Sequence, residues 1–120
     1  MLPQHERLKR REDFQNLRQK GKRYNRRCLS LVALKTDTED MPRVGFIVTK
    51  RLSKKAVTRN RIKRQMRAAY HLHRHHLKKG YFFLFIARQA ILDQPFQTLN
   101  YQIESLLHEA GAISSACIES

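Results

Sequence analysis

The chain has 120 residues, and its 25 Lys and Arg outnumber its 10 Asp and Glu, which gives a formal net charge of +15. This length fits one compact domain, and a hydrophobic fraction of 41% is enough for a modest core and too high for a disordered polycation. The excess of positive charge predicts a polyanionic partner, either nucleic acid or an acidic membrane surface.

The first half of the chain reads as a helix followed by two strands. The helix covers Arg11–Lys20, with acidic residues in its first turn and basic residues in its last, as the helix dipole favours, and Gly21 follows as a stop. The strands are Cys28–Leu34 and the β-branched Val44–Thr49, separated by the polar segment 35–42. We predict that they form a two-stranded hairpin with a long loop.

The second half reads as helix, strand, helix. A helical period runs from Ala56 to about Leu77, and the continuous apolar run Tyr81–Ala87 predicts a strand covered on both faces. A last helix begins near Pro95 and stops at Gly111, which leaves a frayed tail at about 112–120. The order α-β-β-α-β-α predicts a single α+β domain, residues 1–120, with a small mixed sheet packed by helices and at least one parallel strand pair.

The charge is concentrated in the middle of the chain. Residues 41–92 contain 14 basic and no acidic residues, whereas residues 93–120 contain 4 acidic and no basic residues. The central segment therefore cannot form ion pairs within itself, and its charge must face solvent or an external anion.

The long central helix separates this charge from its apolar face. At about 100° per residue, its apolar positions share one side, and six polar or basic side chains spread over the other. Head groups three or four residues apart lie ~5–6 Å from one another, close to the spacing of phosphates along a strand. This pattern favours nucleic acid over a merely solvated basic surface. The six side chains are those of Asn60, Arg61, Lys63, Arg64, Arg67 and Arg74.

The run Arg59-Asn60-Arg61-Ile62-Lys63-Arg64-x-x-Arg67 resembles the RNR motif of the bacterial ribonuclease P protein component. Further matches lie in the expected order: Val44-Gly45-Phe46 and Thr49-Lys50-Arg51 before the motif, and Ile86-Ala87-Arg88 after it. Near the start, Arg7-Leu8-Lys9 precedes Glu12-Asp13-Phe14. The resemblance covers about residues 7–110.

The resemblance implies a fold and a function. The fold is ribosomal protein S5 domain 2-like, with a left-handed βαβ crossover, an exception to the usual right-handed rule. The function is that of the small subunit of a ribonucleoprotein that removes the 5′ leader from precursor tRNA. Catalysis is implied to reside in the RNA subunit, and Mg²⁺ to be bound mainly by that RNA and the substrate. The implied partners are ribonuclease P RNA and precursor tRNA, with no membrane and no protein oligomer.

The same resemblance implies two sets of site residues. The leader is expected in a cleft beside the first helix, where Phe14 could stack on a base. Some relatives have a second aromatic where this chain has Arg18. The implied cleft residues are Arg7, Lys9, Arg10 and Phe14. The implied RNA-binding residues are Lys50, Arg51, Lys54, Lys55, Arg59, Asn60, Arg61, Lys63, Arg64 and Arg67.

Two other classes of binding protein remain open. A ribosomal or other structural RNA-binding protein would share the charge pattern, and a helix-turn-helix DNA binder would share the basic helix. The second is disfavoured because the basic helix is predicted to lie between two strands. The run Lys79–Phe85 resembles an RNA-recognition strand, but Phe82 stands where that motif needs a small residue, and we interpret it as core.

The sequence offers no enzyme site of its own. No nucleophile and base, Gly-rich phosphate loop or pair of carboxylates stands out in the basic region. His71 and His75 could approach a metal, but His71, His75 and His76 are interpreted as solvent- or RNA-facing side chains. His73 lies on the apolar face and is interpreted as a packed histidine. Cys28 and Cys117 do not form the pattern of a disulfide framework, and their spacing is not that of metal ligands. The N-terminus lacks the apolar run of a signal peptide. The longest apolar stretch, Tyr81–Ala87, is too short to span a membrane. We therefore expect a cytoplasmic protein.

Overall fold

The computed structural model describes residues 11–36 and 41–113, with side chains from Gln15 onward. The predicted elements are present, and one further strand, β1, joins them. Short 3₁₀ turns cover Arg74–His76 and Gln89–Asp93. The helices and strands are α1 Arg11–Lys20, β1 Lys22–Asn25, β2 Leu29–Lys35, β3 Arg43–Ile47, α2 Ala56–His73, β4 Tyr81–Ala87 and α3 Phe96–Glu109.

The four strands form one mixed sheet in the order β1-β2-β4-β3. β2 is antiparallel to both β1 and β4, and β3 is parallel to β4, as the crossover through α2 predicted. The predicted hairpin of β2 and β3 is wrong, because β4 lies between them. All seven residues of β4 are apolar, so a central position, paired on both edges and packed on both faces, buries them best.

The two faces of the sheet are covered unequally. Helices α2 and α3 cover one face, where Phe83 and Phe85 of β4 and Tyr70 of α2 belong to the main core. Helix α1 covers part of the other face, where Leu17 packs against Val32 and Leu84. The second face is only partly closed because α1 has ten residues and contributes a narrow apolar stripe.

Two boundaries differ from the sequence-based expectations. The long helix ends at His73 rather than near Leu77, because the chain tightens into a 3₁₀ turn before Leu77 forms a β-bridge with Ile113. The predicted frayed tail begins too early: Ala112 and Ile113 are buried, and the N–H of Lys78 donates to the carbonyl of Ala112 at 2.8 Å. The rest of the predicted tail lies outside the described residues.

A close approach of α1 to the sheet depends on Gly21. A Cβ at this position would lie 2.4 Å from the Leu17 carbonyl oxygen and 2.8 Å from a Val32 methyl group. We expect Gly21→Ala to lower the free energy of unfolding by about 1–3 kcal/mol, because α1 must move away from β2. Urea denaturation measures this, with the exposed Gln19→Ala as the control, expected within about 0.5 kcal/mol of wild type. Equal stability of both variants would contradict the close approach.

Candidate nucleic-acid interface

Helix α2 divides into an apolar and a cationic side. Ile62, Met66 and Ala69 are buried, as predicted for the core face, and Tyr70, which was not predicted there, is buried with them. On the opposite side, Asn60, Arg61 and Arg64 are exposed, and Lys63 and Arg67 are half-buried. The hydrophobic packing of one side thus holds the charges of the other toward solvent.

The segment before α2 adds four exposed cations. Residues 49–55, which we call the entry loop, connect β3 to α2 and carry Lys50, Arg51, Lys54 and Lys55. Helix α2 begins at this loop with no acidic residue in its first turn and no side-chain cap from Lys55. The positive end of the helix dipole therefore adds to the loop's charge, and the local field favours an anion.

The charge of α2 and the entry loop is not neutralised within the described part of the chain. The ion pair found between described residues joins Arg26 to Glu109 at 3.1 Å, away from this surface. No acidic residue occurs anywhere in 41–92. The predicted RNA-binding residues lie on the solvent-facing side of α2 and in the entry loop, which together we call the cationic surface, with Arg59 as a partial exception.

Arg59 is half-buried, and its guanidinium turns back toward the entry loop. Nη1 donates hydrogen bonds to the carbonyl oxygens of Ser53 and Lys54, both at 2.9 Å. The motif position predicted to contact RNA thus also makes bonds within the protein.

Most of the predicted leader-cleft residues are outside the part of the chain that the structure describes. Arg7, Lys9 and Arg10 lie outside the described residues, as does the side chain of Phe14, which belongs to α1 three residues before the buried Leu17. Arg18 is exposed at the next turn of the same helix.

Beside α1, where the leader cleft was predicted, the sheet has a partly exposed apolar surface whose residues were not predicted. It contains Leu34, Ile47, Phe82 and Ile86, which are half-buried around the small cluster of Leu17. The guanidinium carbon of Arg43 lies 6.0 Å from the centre of the Phe82 ring, within the range of a cation–π contact. The sequence signal for this surface was that alternate residues of β4 lie opposite a short helix with a narrow apolar stripe. We interpreted those residues as covered core.

A second group of arginines was also missed. Arg26, Arg27 and Arg88 line a cavity of about 540 Å³ with Asn25 and Gln89, near the end of β4. Arg88 Nη1 donates to the carbonyl of Arg26 at 3.0 Å. The pairing of Leu29 with Ala87 and of Ile47 with Ile86 places this group at the same end of the sheet as the entry loop.

The described histidines and the described cysteine were examined as possible metal ligands. The rings of His71 and His75 are 6.5 Å apart, and His73 instead hydrogen-bonds Asn100 of α3 at 2.8 Å. Within 11–36 and 41–113, no group of three or more His, Cys, Asp or Glu could hold a metal ion.

Burial raises the pKa of the Cys28 thiol, and this effect of burial exceeds the opposing influence of the Arg27 charge. None of the described helices is long and apolar enough to cross a membrane.

Comparison with known proteins decides the family. The model of the family described as Ribonuclease P matches residues 2–111. The chain belongs to the ribonuclease P protein family. Among the curated members, the ribonuclease P protein component of Symbiobacterium thermophilum is 39% identical over 107 residues, which cover 89% of this chain and 92% of that protein. That of a Pseudanabaena species is 38% identical over 113 residues, covering 94% and 97%.

Solved structures of the family confirm the fold. The RNase P protein of Staphylococcus aureus superposes with a TM-score of 0.81 at 29% identity, covering 91% of this chain and 98% of that one. The RNase P protein of Thermotoga maritima gives a TM-score of 0.74 at 26% identity, covering 85% and 94%. The predicted class, a small α+β domain with a mixed sheet, is therefore correct. Members of this family are subunits of an RNA-processing endoribonuclease.

Proposed function

We propose that this chain binds the catalytic RNA of ribonuclease P and the 5′ leader of precursor tRNA, and so promotes endonucleolytic 5′ maturation of tRNA. The observation that carries the proposal is the cationic surface of α2 and the entry loop, which faces solvent and has no acidic residue within 41–92. Catalysis would reside in the RNA subunit, and the Mg²⁺ it needs would be bound mainly by RNA and substrate.

Electrostatics would supply most of the affinity for the RNA subunit. Each guanidinium can grip phosphate oxygens through two parallel hydrogen bonds, and each neutralised phosphate releases condensed counterions. Six to ten such contacts predict a loss of about 10³–10⁵ in affinity between 50 and 200 mM salt. The protein would act by lowering repulsion between phosphates of the RNA subunit and substrate, which allows the complex to form at lower Mg²⁺.

The leader would lie along the partly exposed apolar surface beside α1. A single-stranded segment offers base faces to apolar and aromatic side chains, and Phe82 presents a half-buried ring there beside the Arg43 guanidinium. The arginines near the end of β4 lie at the end of the sheet that also carries the entry loop.

We place the action of the protein in the cytoplasm, with no membrane and no protein oligomer.

A competition assay separates this function from its alternatives. Labelled ribonuclease P RNA bound to the chain is challenged with unlabelled ribonuclease P RNA, ribosomal RNA and duplex DNA at one fixed salt concentration. We expect the unlabelled ribonuclease P RNA to compete best. Equal or better competition by ribosomal RNA would support the structural RNA-binding alternative, and better competition by duplex DNA would support a DNA-binding protein.

Removal of the aromatic ring on α1 tests the leader site. We expect Phe14→Ala to weaken binding of precursor tRNA by the reconstituted ribonucleoprotein, because loss of one base stack costs about 1–3 kcal/mol. Binding of mature tRNA, which has no leader, should be unchanged. Tyr101→Ala is the matched control, because this tyrosine is 71% exposed on α3. Equal weakening for precursor and mature tRNA would remove Phe14 from the leader site.

A further inference from the structure

Arg59 differs from its neighbours on α2 in where its guanidinium lies. Two of its hydrogen bonds go to main-chain carbonyl oxygens of the entry loop, at Ser53 and Lys54. Arg61 and Arg64 are exposed and have no hydrogen-bond or ion-pair partner among the described residues. One basic residue of the motif is thus tied to the protein, while its neighbours remain available to a ligand.

The entry loop is held at both ends. At its start, the Thr49 carbonyl accepts hydrogen bonds from the N–H groups of Leu52 at 3.1 Å and Ser53 at 3.4 Å, and the Thr49 hydroxyl oxygen also accepts from Leu52 at 3.3 Å. In its middle, Leu52 is half-buried against the main core. At its end, the guanidinium of Arg59 holds the last two carbonyls before Lys55.

The loop needs such a contact because repulsion between its own positive charges disfavours a single ordered conformation. Lys50, Arg51, Lys54 and Lys55 lie within six residues and repel one another, and no described acidic side chain pairs with them. The carbonyl dipoles of the loop offset the added charge of Arg59. A guanidinium suits this position because it stays charged and its rigid fork can donate several bonds at once, whereas an ammonium is a point charge on a flexible stem.

We propose that Arg59 is a positioning residue: it fixes the entry loop against α2 so that Lys54 and Lys55 meet phosphates of the RNA, and its contribution to RNA binding passes through those two lysines. This inference rests on the proposed function, because it concerns how the same cationic surface is assembled. It reassigns one motif arginine from phosphate contact to the support of phosphate contacts.

A double-mutant cycle tests the proposal. Affinity for ribonuclease P RNA is measured for Arg59→Gln in the wild-type chain and in a Lys54→Ala/Lys55→Ala background. We expect about a tenfold loss in the wild-type chain, and less than about a twofold further loss once the two lysines are absent. Arg61→Gln is the matched control and should cost about the same factor in both backgrounds. Equal losses for Arg59→Gln in both backgrounds would overturn the proposal.

Two further measurements guard against a misfolded variant. Arg59→Lys keeps the charge and should bind RNA about as weakly as Arg59→Gln, whereas full recovery of affinity would show that charge alone matters and overturn the inference. In the free protein, amide hydrogen exchange at 52–55 should be faster in Arg59→Gln and unchanged in Arg61→Gln, and unchanged exchange in both would also overturn it. If no variant affects RNA binding, including Arg61→Gln, the proposed function itself fails.

Discussion

Replacement of both Arg61 and Arg64 by alanine should weaken binding of ribonuclease P RNA by about 10²–10⁴ at fixed salt, because each side chain is proposed to make a charge-assisted interaction worth about 1.5–3 kcal/mol. Both side chains are exposed on the cationic side of α2, and Met66 and Ile62 anchor the helix from the other side. The logarithmic salt dependence of binding should also become shallower by about two units, one for each phosphate that is no longer neutralised. Filter binding over a salt series measures both quantities.

The control for this pair removes the same charge elsewhere. Arg23 and Lys35 are exposed on strands β1 and β2, outside the cationic surface. Arg23→Ala/Lys35→Ala should therefore lower RNA affinity far less and leave the salt dependence nearly unchanged. Equal effects of the two double variants would mean that RNA responds to net charge alone and that α2 is not the binding surface.

Replacement of Phe85 by alanine should lower the free energy of unfolding by about 3–5 kcal/mol, which is a large part of the ~5–15 kcal/mol typical of a domain. Phe85 is fully buried at the centre of β4, and its ring stacks on Phe46 with centroids 5.7 Å apart. The ring of Tyr70, on the core side of α2, lies 5.9 Å away. Loss of this ring therefore leaves a cavity directly beneath α2. Urea denaturation at fixed ionic strength measures the change.

A surface variant calibrates that result. Leu72 lies on the same helix as Tyr70 but is 58% exposed, so Leu72→Ala should change stability by less than about 0.5 kcal/mol. If ribonuclease P RNA binds the folded chain as proposed, saturating RNA should also recover part of the stability that Phe85→Ala removes. A decrease below about 1 kcal/mol in Phe85→Ala would contradict the placement of this ring in the core.

Local periodicity was sufficient to predict most elements of the fold. The apolar run Tyr81–Ala87 and the helical spacing of Ile62, Met66 and Ala69 predicted β4 and the core face of α2 correctly. Strand order was not predictable in this way, since the placement of β4 between β2 and β3 depends on long-range pairing. Strand β1 was missed because Lys22–Asn25 is polar, short and at the sheet edge, where it needs little apolar surface.

The candidate site was predicted as a set of residues but not as a geometry. Charge segregation and the motif identified Arg61 and Arg64, which are exposed as expected. They could not separate Arg59 from these neighbours, because its bonds to Ser53 and Lys54 depend on the path of the entry loop. The partial exposure of Phe82 was not predicted for a similar reason: how much of a sheet face a short helix covers depends on packing.

The most direct test of the proposed function is leader removal at low Mg²⁺. A bacterial ribonuclease P RNA and a precursor tRNA are incubated at a Mg²⁺ concentration at which the RNA alone cleaves slowly, with and without the purified chain. We expect the chain to accelerate release of the 5′ leader, and Arg61→Ala/Arg64→Ala to do so much less. An unchanged cleavage rate, with the chain folded and in excess over the RNA, would contradict the proposed function.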